Sequence, residues 1–115
     1  GTFYCNYDIF KNIYQINVRA ARRALRSRFL VLLTLREGGT QEHIDDETET
    51  LRQVISEQLR KNDVFSQYNV AQYSVILAAQ NIEGCEKAMR RIMDKYCQRR
   101  KFDTVTLEYE IKQIK

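Results

Sequence analysis

The chain has 115 residues, of which 43% are hydrophobic and 30% charged, with four glycines, no proline and a net charge of +4. This composition predicts one compact, soluble domain and excludes collagen-like, disulfide-scaffold and disordered classes. The longest apolar run, Phe29 to Leu33, is far shorter than the roughly 20 residues that span a bilayer. We therefore expect a single domain over residues 1–115 with no membrane partner.

Hydrophobic spacing predicts the elements of the first half of the chain. Apolar residues recur every three or four positions over residues 8–26, which predicts an amphipathic helix with Asp8 as its N-cap. The continuous apolar segment 29–35 predicts a central strand covered on both faces. Two glycines within residues 36–43 indicate a loop, and an apolar stripe over 44–59 predicts a second helix.

The second half reads as a hairpin, a helix and a strand. Residues 63–80 lack a helical period and predict a β-hairpin turning near Asn69 to Gln72, because asparagine tolerates the left-handed conformation of tight turns. A stripe over 82–96 predicts a third helix capped by Asn81. Strict alternation over 104–112 predicts a strand with one solvent-exposed face.

The order of these elements predicts the fold. After the N-terminal helix of about 8–26, the core of about 28–114 reads βαββαβ. Two right-handed crossovers on one face of an antiparallel sheet give a ferredoxin-like α+β arrangement. We therefore expect a ferredoxin-like domain with one additional N-terminal helix.

Catalytic and metal-binding constellations are sparse. His43 is the only histidine, so neither an imidazole-rich metal site nor more than one histidine-based nucleophile arrangement can be built. We interpret His43 as a solvated loop residue. Gly38 and Gly39 lack the following glycine and Lys-Ser/Thr of a phosphate-binding loop and indicate a turn. We expect no catalytic residue, no metal and no cofactor.

The basic residues and cysteines indicate the environment of the protein. Basic side chains cluster over 19–28 and 90–101, and we interpret both clusters as solvated helix faces. Cys5, Cys85 and Cys97 are odd in number and widely spaced, which favours reduced thiols and a cytoplasmic location.

The segment Leu59-Arg-Lys-Asn-Asp-Val-Phe-Ser-Gln-Tyr68, followed by Asn69-Val-Ala-Gln-Tyr-Ser-Val-Ile-Leu77, carries a family resemblance. It is similar to the diguanylate cyclase, or GGDEF, domain, whose hairpin reads roughly L-R-x-x-D-x-x-x-R-Y-G-G-D/E-E-F before an apolar strand. The upstream and downstream elements also match, so the resemblance covers nearly the whole chain. It implies the same ferredoxin-like fold.

Departures from the family pattern imply that the domain is degenerate. In the family, two hairpin glycines let the nucleotide approach, while acids beside them and an Asp-x-Asp pair at the end of the first strand hold metal. Magnesium prefers anionic oxygen ligands, so neutral or cationic residues there oppose catalysis. The residues at these positions are Thr34, Arg36, Asn69, Val70, Ala71 and Gln72. The resemblance therefore implies an inactive cyclase-like domain, not an enzyme.

One family site has matching residues. In the cyclase family, an Arg-x-x-Asp five residues before the signature forms an inhibitory site for cyclic di-GMP, and Arg60 and Asp63 stand at this spacing before Asn69. A guanidinium can contact phosphate or guanine, and a carboxylate can accept guanine N–H groups. The alternative interpretation is that Arg60 is a solvated helix-end residue and Asp63 a loop residue.

A second resemblance concerns the protein context. Short segments at 3–14, 18–22, 32–35, 66–73 and 106–109 resemble the C-terminal domain of Firmicute SARP-type regulators, which join a winged-helix domain and a bacterial transcriptional activator domain to a degenerate cyclase-like domain. The chain starts with Gly1 and lacks a signal peptide, so we expect a piece of such a longer protein. The partners implied are other domains of the regulator, a second copy and cyclic di-GMP, with any DNA bound by another domain.

A nucleic-acid-binding ferredoxin-like domain is the remaining alternative. Such domains stack bases on aromatic side chains of the sheet face, with basic neighbours. Tyr73 and Tyr109 are the candidates here, but both share a strand face with valine and leucine two positions away. The period-two alternation of a strand therefore favours core packing for both tyrosines.

Overall fold

This computed structural model describes residues 2–21 and 27–115 of the chain, which form five strands and three helices. The elements, in chain order, are β1 (Phe3–Tyr4), α1 (Tyr7–Ala20), β2 (Ser27–Glu37), α2 (Ile44–Gln58), β3 (Val64–Asn69), β4 (Gln72–Ala79), α3 (Ile82–Arg99) and β5 (Val105–Ile114).

The strands form one sheet in the order β1-β3-β4-β2-β5. The β3–β4, β4–β2 and β2–β5 pairs are antiparallel, whereas β1 runs parallel to β3. The predicted ferredoxin-like fold with an N-terminal helix is therefore confirmed. The sheet differs in one respect, because the short strand β1 makes it mixed rather than wholly antiparallel.

Each face of the sheet carries its own apolar cluster. On one face, α2 packs against β2 and α3 packs against β4 and β5. Phe29 and Val31 of β2 are buried in this main core. On the other face, α1 contributes Phe10 to a smaller cluster that includes Ile76 and Ile114. The stripe of α1 is thus largely packed on its own domain. The second face of β2 is only half-buried, so the prediction of a strand covered on both faces is met on one face and partly on the other.

The helix caps differ in part from expectation. The predicted cap Asn81 is confirmed, since its side chain accepts a hydrogen bond from the backbone N–H of Gly84 at 3.0 Å. The cap of α1 is Asn6 rather than Asp8, because the Asn6 side chain accepts from the N–H of Ile9. Residues 22–26 of the predicted first helix lie outside the described residues.

The hairpin turns where it was predicted, but for a different reason. β3 ends at Asn69 and β4 begins at Gln72. Among described residues other than glycine, none has a positive φ. Asn69 instead accepts a hydrogen bond from the N–H of Ala71 at 3.0 Å, so its side chain closes the turn without the left-handed conformation.

The cysteines are all free. Cys5 and Cys85 are buried and Cys97 is exposed. Burial raises the pKa of the Cys85 thiol to about 11, so this thiol remains protonated at neutral pH. No helix among residues 2–21 and 27–115 is long and apolar enough to cross a membrane.

Candidate functional site

A polar network joins the end of the hairpin to β2. The amide of Gln72 donates to Thr34 Oγ1 at 2.9 Å, across the register that pairs these two residues. Asn69 Nδ2 in turn donates to Gln72 Oε1 at 2.5 Å. These residues stand at strand-end and hairpin positions where the sequence departs from the family pattern. The structure brings these positions together, and their side chains form hydrogen bonds with one another.

The hairpin is also attached to α2. Thr48 Oγ1 donates to the carbonyl of Val70 at 2.6 Å, and the Tyr73 hydroxyl donates to the carbonyl of Thr48 at 3.1 Å. Burial raises the pKa of Tyr73, so the phenol stays protonated as a donor. These contacts hold the turn against the helix and leave Val70 as its exposed tip.

Arg36 lies beside the network with its charge compensated. Its Nε donates to Glu108 Oε2 of β5 at 2.8 Å, and this hydrogen bond raises the pKa of Arg36. Both side chains are solvent-exposed. The cleft of about 360 Å³ at this end of the sheet is lined in part by Thr34, Arg36 and Gln72, and also by Glu37. It therefore carries amide, hydroxyl and guanidinium groups together with one buried carboxylate.

A second cleft, of about 380 Å³, contains the predicted pair Arg60 and Asp63. Asp63 is buried, and its carboxylate accepts from the backbone N–H of Arg60 at 2.8 Å and of Ala78 at 3.4 Å. This carboxylate thus joins the end of α2 to β4. Arg60 is exposed. The geometry therefore supports the alternative interpretation, in which Arg60 is a solvated residue at the helix end and Asp63 has a structural role.

The second cleft includes a cation that sequence reasoning missed. Arg91 of α3 lines it together with Arg60, and Asn81 at the start of α3 lies on the same wall. Sequence patterning placed Arg91 only within a general basic cluster, because its distance from Arg60 along the chain hides their proximity. The pairing depends on how α3 packs beside the end of α2.

A buried carboxylate at the end of β2 holds the loop before α2. Glu37 accepts from the backbone N–H of His43 at 3.0 Å and from Thr104 Oγ1 at 2.8 Å, and His43 Nδ1 lies 2.5 Å from Glu37 Oε2. The imidazole also stacks on Phe102 with ring centroids 3.8 Å apart. The prediction that His43 is a solvated loop residue is therefore wrong, because Glu37, six positions upstream, folds back onto it.

The charges of this pair are mutually stabilised. The hydrogen bond to Glu37 raises the pKa of His43 despite partial burial. Burial opposes ionisation of Glu37, but hydrogen bonds from His43 and Thr104 outweigh it and lower the pKa of Glu37. The imidazolium and the carboxylate thus coexist over a wider pH range than either isolated group would allow.

Replacing His43 with glutamine is expected to lower the melting temperature most near about pH 5.5. The raised His43 pKa stabilises the fold below 6.5, and this contribution is lost as pH rises through the folded-state pKa. The lowered Glu37 pKa contributes above 4.5, and this contribution is lost as pH falls through its folded-state value. Thermal melts of both proteins from about pH 3 to 9 measure the difference.

The control for this experiment is Asp94→Asn, which changes an exposed charge on α3. Its effect on the melting temperature should not peak between pH 4.5 and 6.5. A difference between wild type and His43→Gln that stays constant from acid to alkaline pH would contradict the role of the ion pair.

The two tyrosines of the nucleic-acid alternative belong to the core. Tyr73 is 1% exposed, and Tyr109 is a half-buried residue packed against the same cluster. Core packing of both is confirmed. The solvent-exposed side of β5 carries Glu108 and Glu110, which would repel a phosphate backbone.

Solved structures that share this fold include two that match nearly all of this chain. A DGC protein from Thermotoga maritima superposes with a TM-score of 0.78 at 10% identity, covering 98% of this chain and 82% of that one. The FimX GGDEF domain from Pseudomonas aeruginosa gives a TM-score of 0.75 at 15% identity, covering 95% of this chain and 74% of that one. At these identities the likeness shows the GGDEF-type fold alone. No family model and no curated protein matches the sequence.

The residues at the hairpin end do not fit the magnesium that a cyclase of this fold uses. Magnesium prefers carboxylate oxygens in octahedral geometry. Thr34, Gln72 and Asn69 are neutral and linked to one another by hydrogen bonds, and Arg36 brings a positive charge. Glu37 also lines this cleft, but its carboxylate is bonded to His43 and Thr104. Within the described ranges, no group of three or more His, Cys, Asp or Glu side chains is arranged to hold a metal ion.

Proposed function

We propose that this chain is a catalytically inactive GGDEF-like domain that serves as a regulatory or dimerisation unit of a bacterial transcriptional regulator. The observation that carries the proposal is the Thr34–Gln72–Asn69 network beside Arg36. Phosphoryl transfer needs metal ions to neutralise the triphosphate as charge develops. Hydroxyl, amide and guanidinium groups cannot replace the carboxylates that would hold those ions.

The test of inactivity is direct. The protein is incubated with GTP and either Mg²⁺ or Mn²⁺, and the products are separated by chromatography beside an active cyclase as positive control. We expect no cyclic dinucleotide above the no-protein blank. Product formation that scales with protein concentration would refute the proposal.

The transcriptional context is supported by the resemblance of short segments to SARP-type regulators. The full-length gene product is expected to place a winged-helix DNA-binding domain and a helical activator domain ahead of this one. Such a regulator would act in the cytoplasm, in keeping with the three free cysteines. A full-length product without a DNA-binding domain would refute this part of the proposal.

A second candidate function is binding of cyclic di-GMP at Arg60 and Asp63. The supporting observation is the cleft of about 380 Å³ that also contains Arg91. Two guanidinium groups and the backbone N–H groups at the start of α3 can donate hydrogen bonds to phosphate oxygens. The buried Asp63 carboxylate orients Arg60 through its backbone, so the arginines would provide the ligand contacts.

Isothermal titration calorimetry with cyclic di-GMP distinguishes this receptor from the purely structural interpretation. If the cleft binds, Arg60→Ala and Arg91→Ala should each weaken binding by about tenfold or more, because a charge-assisted hydrogen bond is lost. Arg90→Ala, one position along α3, is the matched control and should bind as wild type. Absence of heat at high micromolar ligand would reject the receptor, as would binding indifferent to both substitutions.

A further inference from the structure

The strand β5 forms an open edge of the sheet. It pairs with β2 from Val105 opposite Glu37 to Ile114 opposite Arg28, with no shift of register. Among the described residues, no strand pairs with its other side. The outward-facing backbone N–H and C=O groups of such a strand can pair with another chain. β5 has 10 residues and contains neither proline nor glycine, so its sequence places no breaker along this edge.

The apolar face of β5 is incompletely covered. Val105 and Leu107 are buried beneath the helices, but Tyr109 and Ile111 are only half-buried. The exposed apolar surface therefore increases toward the C-terminal half of the strand. A second strand at this edge would cover it.

The solvent-exposed face of β5 has a self-complementary charge pattern. Glu108 and Glu110 precede Lys112 on this face. Glu108 is already paired with Arg36 of β2, whereas Glu110 and Lys112 are exposed. When two identical strands pair antiparallel, the acidic residue of each strand can lie opposite the basic residue of the other strand. The strand pair then has two favourable charge pairs.

We propose that β5 pairs antiparallel with β5 of a second copy about a two-fold axis at Ile111. Each Glu110 then lies opposite the partner's Lys112, and Ile111 lies opposite the partner's Ile111. Both copies keep their helices on the same side of one continuous sheet, an isologous interface. This inference deepens the dimerisation part of the proposed function and names its surface.

Neighbouring registers are disfavoured by charge. An axis at Glu110 would place the two Glu110 side chains opposite each other. It would also place each Glu108 opposite the partner's Lys112, but Glu108 is already paired with Arg36. An axis at Lys112 would place the two lysines opposite each other. An axis at Tyr109 would place Glu108 opposite the partner's Glu110. Like charges directly opposite each other destabilise a strand pair, so the axis at Ile111 is the register that the sequence of β5 favours.

Analytical ultracentrifugation of the 115-residue chain over a range of concentrations tests the pairing. We expect a reversible dimer, and a weak one, because one strand pair buries less than the roughly 1,200 Å² of a standard interface. Glu110→Lys alone and Lys112→Glu alone should each weaken self-association by about tenfold, since each creates two like-charged pairs. An equimolar mixture of the two variants should dimerise again as a heterodimer.

Two controls locate the surface. Asp94→Lys makes the same charge change on α3, and Ile16→Lys changes an apolar residue of α1 that is 60% exposed. Neither should alter self-association. A monomer at every concentration would overturn the proposal. A dimer that is insensitive to both charge reversals, is not restored by mixing, or is lost with Ile16→Lys would also overturn it.

Cross-linking gives a second readout of the register. In a Cys97→Ser background, which removes the exposed native thiol, Ile111→Cys is expected to form an intermolecular disulfide because the two positions meet at the axis. Gln113→Cys faces the partner's Tyr109 and should not. Preferential cross-linking at position 113 would exclude this register. Cyclic dinucleotide synthesis by an intact dimer would refute the proposed inactivity while leaving the interface standing.

Discussion

Replacing Phe65 with alanine is expected to lower the free energy of unfolding by about 4 kcal/mol, because a fully buried aromatic ring is lost and a cavity remains. Phe65 has 0% exposure. Its ring lies 4.8 Å from that of Tyr4 and 5.8 Å from that of Tyr73, measured between centroids. Since a domain of this size is stable by about 5–15 kcal/mol, the loss is a large part of the total.

The same substitution should loosen β1 before the rest of the sheet. The backbone N–H of Cys5 donates to the Phe65 carbonyl at 3.1 Å, and the Tyr4 ring packs on the ring that is removed. Urea titration measures the stability, and hydrogen exchange at the Cys5 amide measures the loosening. Phe3→Ala, at a side chain 50% exposed, is the control and should cost less than about 1 kcal/mol. Equal losses for both variants would contradict this account.

Replacing Glu47 with alanine is expected to cost about 3 kcal/mol, because the buried Tyr96 hydroxyl and two partly buried backbone N–H groups lose their acceptor. Glu47 has 0% exposure on α2. Its carboxylate accepts from the Tyr96 hydroxyl at 3.0 Å and from the backbone N–H groups of Lys101 and Phe102 at 3.2 and 3.4 Å. It therefore ties the loop between α3 and β5 to α2.

Partial variants separate the contributions of these hydrogen bonds. Tyr96→Phe removes one donor and leaves the carboxylate with both backbone partners, so it should cost about 1 kcal/mol. Glu49→Ala changes an exposed carboxylate of the same helix, which pairs with Arg52 at the surface, and should cost at most about 0.5 kcal/mol. If Glu47→Ala proved no more costly than Glu49→Ala in urea titration, the buried network would have no stabilising role.

Local patterns were enough to predict most of the sheet and the two helices α2 and α3 on one of its faces. The alternation along β5 and the apolar stripe of α3 depend on the periods of a strand and a helix, which neighbouring residues determine. Asn81 was predicted as a cap because its role needs only the N–H three residues ahead. The hairpin turn was placed correctly for the same reason, although Asn69 closes it by a hydrogen bond rather than by a positive φ.

Short and long-range features were not predictable in this way. β1 has two residues, too few to show any period, and it exists because it pairs with β3, about 60 positions away. The cap Asn6 was missed since Asp8, which also suits a first turn, stood closer to the apolar stripe.

The residues of the candidate sites were likewise predicted only in part. The resemblance placed Thr34 near Gln72, and the sheet register pairs them. It also named Arg60 and Asp63, which lie in one cleft. Arg91 in that cleft was not predicted, because only the packing of α3 beside the end of α2 brings it there.

The amino-acid sequence by itself determined the periods of the helices and strands, their order and the neutral or cationic residues at the hairpin and strand end. Those properties depend on residue type and spacing along the chain. The tertiary structure alone decided the burial of Glu37 and Glu47 and the pairing of His43. A carboxylate is stable in a protein interior only where donors surround it. Those donors come from segments such as residues 101–104, far along the chain, so only the folded packing brings them to the two carboxylates.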